Sequence, residues 1–446
     1  MRKVIVLGGG FGGIAAAQHL SRDKSADVLI ISRTNFQTYT PFLADVAGGT
    51  IAVVHAAPPV RMMAPMAELE VAEVEGVDIA GQKVRVRLSD QTRQERQFDA
   101  LVVALGAVTS FEHGAGAAEF GFPLSTPADA FVLRNHVLEM LGLAEVTTDS
   151  EKRRELLTFV FVGGGFSGVE GAAAIQDLAH EATRYLKNVR PNQLRFVLAP
   201  HGERLLAQID EKLGDYAAKR LSRRGIDVRL GVGVSEITMR SATLTTGEVI
   251  PTRTVLWAAG TRVSPLVDDM DLPRNQHGAI EVDGTLQVKG HEDVYALGDC
   301  AAVPLTDGSG SYAPTAQNAI REGSVAAHNL LAHLRGETPD LVFDYKPIGT
   351  LASLGHREAV AQIKGLKLSG FPAWFMWRGI YLGKLPGFAR KFQVGVDWIG
   401  DLLNRVETTY FPLGHSVERS FQQAEQLPEP GAAGPTPAPP EDESGN

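Results

Sequence analysis

Two glycine runs carry the clearest chemistry in this chain. Gly8-Gly9-Gly10-Phe11-Gly12-Gly13 follows the apolar run Val4-Ile5-Val6-Leu7, and Gly163-Gly164-Gly165-Phe166-Ser167-Gly168 follows Phe159-Val160-Phe161-Val162. Each opens into an alanine-rich stretch that reads as a helix. Strand, tight turn and helix N-terminus together make a pyrophosphate site: glycine permits the turn and a close backbone approach, while free N–H groups and the helix dipole attract the anion. One such loop also arises for packing alone; a pair in the same strand–helix context points to two dinucleotides. A third segment, Asp293-Val294-Tyr295-Ala296-Leu297-Gly298-Asp299, reads as a strand ending in Gly-Asp. A carboxylate there accepts a hydrogen bond from a polyol hydroxyl, and the glycine lets a flavin cofactor lie against the backbone. In isolation the same pair would read as an N-cap before a helix.

The elements that must position these groups follow from periodicity. Residues 3–33 read as strand, glycine loop, helix to His19-Leu20, and a buried strand Asp27-Val28-Leu29-Ile30-Ile31. A second unit begins near Leu156, with a helix through Glu170 to roughly Leu186 and a strand Leu194-Arg195-Phe196-Val197-Leu198. Leu101-Val102-Val103-Ala104-Leu105-Gly106 and Val255-Leu256-Trp257-Ala258-Ala259-Gly260 occupy matching places in the two halves, each a strand ending in small residues. The fold class is therefore α/β, with two Rossmann-like dinucleotide-binding domains.

The 446 residues suit two or three domains, and 44% hydrophobic content suits a folded chain. A net charge of -9 argues against nucleic-acid binding. The N-terminus runs directly into a strand, so no signal peptide is expected, and no apolar run is long enough for a transmembrane helix. Cys300 is the single cysteine, which excludes an intrachain disulfide, a cysteine-based zinc cluster and a redox cysteine pair. The histidines show no metal-ligand spacing, so no metal is expected.

Beyond residue 345 the composition shifts. Trp374, Trp377 and Trp398 fall within 364–405, where Lys364, Lys367, Arg378, Lys384, Arg390, Lys391 and Arg405 face only Asp397 and Asp401. Phe388, Phe392, Val396, Ile399 and Leu403 recur at helical spacing and form one apolar face. Two readings stay open: a helix lying in a membrane interface with its rings at headgroup depth, or helices packing on the protein or across a dimer. Residues 421–446 contain six prolines and five acids without Lys or Arg, and read as a disordered tail.

With these motifs in hand, the chain resembles the type II NADH dehydrogenases, monotopic NADH:quinone oxidoreductases. The resemblance runs from residue 3 to about 411. It includes Tyr39-Thr40-Pro41-Phe42-Leu43-Ala44-Asp45, Leu133-Arg134-Asn135-His136, Gly168-Val169-Glu170, Ala296-Leu297-Gly298-Asp299-Cys300-Ala301, Thr315-Ala316-Gln317 and Gly349-Thr350-Leu351-Ala352-Ser353. It implies an FAD-binding domain in two parts (1–115 and 286–345), an NAD(P)H-binding domain (155–285) and a membrane-associating or dimerising segment (346–411). For FAD it implies Gly8, Gly10, Phe11, Gly12 and Gly13 at the first loop, with glycines 8, 10 and 13 approaching the pyrophosphate. It adds Ser32, Arg33, Val74, Ala104, Gly106, Gly298, Ala316 and Gln317, with Asp299 on the ribityl chain. For NAD(P)H it implies Gly163, Gly165, Phe166, Ser167, Gly168, Glu170, His201, Ala259 and Gly260. Glu170, Gln317 and Arg321 are the implied catalytic residues: Glu170 at the nicotinamide side of the flavin, Gln317 and Arg321 flanking a quinone carbonyl.

The activity so implied is hydride transfer from NADH, or NADPH, to FAD and two-electron reduction of a quinone, without proton pumping. The protein would be peripheral on the cytoplasmic face of the cell membrane, attached through residues 372–405, with a homodimer also open. A soluble flavin reductase serving a small redox protein is the rival. Three positions depart from the family pattern. Ser32-Arg33 and Ala199-Pro200-His201 stand where an acid ordinarily binds each ribose. The first change should weaken a contact to the FAD adenosine; the second removes what would repel a 2′-phosphate, with His201 or Arg204 available to pair with it, so NADPH should be accepted beside NADH. Arg321 replaces a usual Gln, placing a permanent cation at the acceptor.

Overall fold

Four consecutive buried residues, Val4 to Leu7, have room only in a strand covered on both faces, the signature of a parallel sheet interior. In the computed structural model, which describes residues 1–403 and 407–411, that strand is β1 (Arg2–Leu7). Helix α1 (Phe11–Leu20) follows the glycine turn, and β2 (Ala26–Ser32) lies parallel to β1 with Leu7 opposite Ile31. β3 (Glu68–Asp78) continues the sheet, its register shifting between Val74 and Gly76, and turns into the antiparallel β4 (Lys83–Leu88) and β5 (Arg93–Gln97). β6 (Ala100–Val103) then returns beside β1.

Helix α2 (Pro127–Val146), started by a Thr126–Asp129 capping box, leads towards the second unit. There β7 (Thr158–Val162) is wholly buried and is followed by α3 (Phe166–Ala182), β8 (Arg195–Ala199), β9 (Ile226–Val228) and β10 (Thr254–Trp257). These strands form a parallel sheet in the order β9-β8-β7-β10. The chain then returns to the first sheet through β11 (Gln287–Val288) and β12 (His291–Ala296), completing an eight-stranded order β11-β12-β6-β1-β2-β3-β4-β5. The crossing comes earlier than residue 285: Thr261–Val263 pairs with Ala107–Thr109, and Val267, Met270 and Leu272 already belong to the first sheet's core.

Helix α4 (Ala316–Leu334) lies on α1, and small residues set the distance. A Cβ added at Gly323 would land on the Gly12 carbonyl, so the two helices cross backbone to backbone. The C-terminal part is an antiparallel meander of β13 (Gly349–Ser353), β14 (Ala359–Ile363) and β15 (Leu366–Gly370), followed by α5 (Phe371–Lys384) and α6 (Phe388–Leu403). Leu351, Val360, Trp374, Trp377 and Trp398 share one core with α2 and α3. The tryptophans therefore do not ride at headgroup depth: Trp398 meets Phe42 edge-on at 5.6 Å and Trp377 at 6.2 Å. Large rings bury more apolar area inside than they could at an interface. Phe371, Phe375, Phe388, Phe392, Val396 and Ile399 are exposed instead, so the stripe read on α6 is its outward face. The side chain of Leu403 and the segment 421–446 lie outside the described residues.

Candidate active site

The two glycine turns match in backbone geometry. Gly8 (φ 111°) and Gly163 (φ 115°) occupy the left-handed region that L side chains avoid, and a Cβ on either would strike a carbonyl, of Ala104 or Ala258. A Cβ on Gly13 or Gly168 would strike the carbonyl of Gly8 or Gly163. Only Gly10 and Gly165, the N-caps of α1 and α3, have open space on that side, and neither cap carries a side-chain hydrogen bond. A Cβ at Gly10 would enter open space, whereas Gly8 and Gly13 keep the turn tight. First-turn N–H groups without side-chain acceptors, beside a space a Cβ would fill, fit a bound pyrophosphate at each turn.

Around the first turn, Gly12 faces Leu297 and Ala319, and Phe11 packs towards Tyr39 at 6.1 Å. Ser32 stands over Gly9 and Pro200 over Gly164, so the two departures from the acidic pattern occupy equivalent stations at the ends of β2 and β8. Arg33 is exposed, and Val74 sits at the irregularity of β3. His201 is exposed with its ring beside Gly233. Arg204 turns inward: it donates to the Ile209 carbonyl at 3.3 Å and its Nε is buried without a partner. Phe166 packs against the core, Ser167 is exposed, and Gly260, next to Ala259, accepts the Ser110 N–H through its carbonyl at 3.1 Å.

The Gly-Asp turn after β12 is held by a residue that sequence reasoning passed over. Gly298 (φ 69°) donates its N–H to the Glu322 carboxylate at 2.7 Å. Glu322 is buried on α4; burial, with the Asp299 charge adding and the Gly298 N–H opposing, pushes its pKa up to about 7. Asp299 is reachable from solvent yet crowded by protein, which raises its pKa, and it has no hydrogen-bond partner among the described residues. An acceptor left open in this way suits ribityl hydroxyls. Gly106, with positive φ, and Ala104 border the same end of the sheet. The only signal for Glu322 was its place in the segment containing Gln317 and Arg321. Cys300, next to Asp299, is buried, and burial pushes its thiol up to about 11, so it has none of the thiolate character that redox cysteines need.

A second cluster joins α4, β13 and α5. Thr315 caps α4 by accepting the Asn318 N–H at 3.2 Å, with Ala316 and Gln317 in the first turn. Gln317 and Arg321 do share one side of α4, but the Gln317 amide is engaged at both ends. It donates to the Gly349 carbonyl at 2.8 Å and accepts from the Tyr345 hydroxyl at 3.3 Å. Arg321 lies over the Tyr345 ring, its guanidinium carbon 3.9 Å from the centroid. Glu170 turns from α3 towards the meander and accepts the Ser353 N–H at 2.7 Å. Burial pushes its pKa up to about 8; the Ser353 N–H opposes this, Asp45 adds to it, and the Trp377 indole opposes it without reaching a full hydrogen bond. Its partners belong to the C-terminal segment, a placement that helix-dipole reasoning about Glu170 does not anticipate. Tyr345, also in this cluster, carried no signal in the sequence, and Lys384 was read only as part of the basic patch.

With the geometry in place, residues 2–323 match the pyridine nucleotide-disulphide oxidoreductase family, and residues 348–405 match the NDH2 C-terminal domain. Type II NADH:quinone oxidoreductase Ndh of Mycobacterium tuberculosis is 32% identical over 410 residues, covering 89% of this chain and 87% of that protein. The chain belongs to the type II NADH:quinone oxidoreductases. A second relative of this family member, demethylphylloquinone reductase NdbB of Synechocystis sp., is 33% identical over 408 residues and covers 89% and 95% of the two chains. The fold of this type II NADH:quinone oxidoreductase is shared with NDH2 from Plasmodium falciparum in complex with NADH, at a TM-score of 0.84 and 20% identity, covering 92% and 99%. The disulphide in the broader family's name has no counterpart here, where Cys300 is the single cysteine.

Proposed function

We propose that this protein oxidises NADH, and NADPH beside it, and reduces a membrane quinone: NAD(P)H + H⁺ + quinone gives NAD(P)⁺ and hydroquinone. The observation that carries the reading is the duplicated turn, in which Gly10 and Gly165 head uncapped helices beside open space. Bound FAD supplies a hydride acceptor that releases two electrons to the quinone. The chain's own residues hold and align the reactants. The Gly10 turn takes the FAD pyrophosphate, Asp299 accepts from the ribityl hydroxyls, and the N-terminal N–H groups of α4 favour negative charge on the isoalloxazine. The Gly165 turn takes the nicotinamide dinucleotide. Glu170, protonated at neutral pH, keeps a proton in the interior, where hydroquinone formation consumes one.

The α5–α6 hairpin, within residues 372–405, attaches the enzyme to the cytoplasmic face of the cell membrane as a peripheral protein. Exposed Phe375, Phe388 and Phe392, in a segment rich in Lys and Arg, favour an anionic lipid surface over a dimer contact. Among the described residues no helix is long and apolar enough to cross a membrane. Anaerobic titration tests the activity. NADH should bleach the flavin absorbance of the purified protein, and a menaquinone or ubiquinone analogue should restore it. Restoration by a small iron–sulfur protein but not by any quinone would favour the soluble reductase instead.

A further inference from the structure

The corner formed by Arg321, Tyr345 and Lys384 has a polarity that a neutral acceptor does not require. We propose that the acceptor end of the site recognises a quinonoid ring bearing negative charge on an oxygen, gripped by Arg321 with Lys384 behind it. This rests on the quinone reading above and deepens it.

Arg321 is held in place rather than free. Its guanidinium lies on the Tyr345 ring at 3.9 Å, and Nη1 donates to the Gln317 backbone carbonyl at 3.0 Å. Tyr345 in turn holds the Gln317 side-chain oxygen through its hydroxyl at 3.3 Å, and Gln317 Nε2 is spent on the Gly349 carbonyl. Stacking occupies the guanidinium face and leaves its in-plane N–H edge as the donor set of this corner. Lys384 lies close enough for the Arg321 charge to act on it: burial first, and then that charge, hold its ammonium below the usual lysine range. Among the described residues no ion pair joins Arg321 or Lys384 to a carboxylate. A fixed guanidinium edge without an ion-pair partner favours an oxyanion over a neutral oxygen.

The reaction supplies such an anion. Two electrons and one proton turn a quinone into the hydroquinone monoanion, and a second proton completes the hydroquinone. A planar fork of N–H donors suits an oxyanion beside a ring carbonyl or ether oxygen.

The test uses calorimetric binding to the FAD-loaded, full-length protein. The probes are 2-hydroxy-1,4-naphthoquinone, whose hydroxyl is ionised at neutral pH, and its neutral methyl ether. The anion should bind about tenfold more tightly than the ether. Arg321→Gln should bring the two within about twofold, with flavin content and melting temperature unchanged to show that the fold is intact. Lys384→Gln should reduce the preference by about threefold. Equal affinities in the unaltered protein, or an unchanged preference in Arg321→Gln, would overturn the proposal. If neither ring binds and no neutral quinone is reduced, the acceptor reading fails and takes this inference with it.

Discussion

Glu170 Oε1 accepts the Ser353 N–H at 2.7 Å, joining the second nucleotide helix directly to the first strand of the C-terminal meander. The contact ties α3 to the C-terminal meander. It also puts a carboxyl group where burial raises its pKa to about 8.

The sign of the resulting pH dependence follows. Unfolded, this carboxyl loses its proton near pH 4.5; folded, it keeps the proton to about pH 8. The native state therefore binds more protons between those values, and stability falls as pH rises through that window. Glu170→Gln retains an oxygen for the Ser353 N–H and removes the titration. Its thermal stability relative to the unaltered protein should grow from pH 5 to pH 8, reaching a gap on the order of a few kcal/mol. A gap that does not change with pH would show that Glu170 is not held neutral.

Gly10 and Gly13 should separate binding from folding. Gly10→Ala places a methyl in the open cradle, so the protein should melt almost normally but purify with at least about tenfold weaker FAD retention. Gly13→Ala drives a methyl against the Gly8 carbonyl, and should cost about 1–3 kcal/mol of stability. Flavin-to-protein absorbance ratios and thermal melts distinguish the two; parallel losses in both variants would contradict the division of roles.

Pro200 occupies the station over Gly164 where a ribose-binding acid would stand. The kcat/KM values for NADPH and NADH should lie within about tenfold of each other, and Pro200→Glu should shift the balance towards NADH by about tenfold or more. A hundredfold preference for NADH in the unaltered protein, measured in the steady state, would sink this expectation.

The outward face of α6 supplies the fourth test. Replacing Phe388 and Phe392 with Asp should lower co-sedimentation with anionic vesicles at least about tenfold, without lowering the melting temperature, since both rings are exposed. Trp398→Ala should do the reverse and cost about 3–5 kcal/mol, because that ring is packed inside. Loss of a dimer in place of vesicle binding would assign the face to self-association.

The sequence by itself determined the two nucleotide units, the strand-ending Gly-Asp turn and the lack of any cysteine pair. Each is a local matter: glycine spacing, apolar runs and residue identity dictate turn geometry and strand burial within a few positions. The family, too, was legible in short stretches read in order. Only the tertiary structure decided which glycines have no room for a side chain, because Ala104 and Ala258 reach Gly8 and Gly163 from distant strands. It alone turned Trp374, Trp377 and Trp398 inward and left the phenylalanines outside. Helical spacing shows that a stripe exists, and only the packing partners decide which stripe is covered. Glu322, Tyr345 and Lys384 gained their roles the same way, from neighbours brought together by the fold, so no spacing along the chain could have announced them.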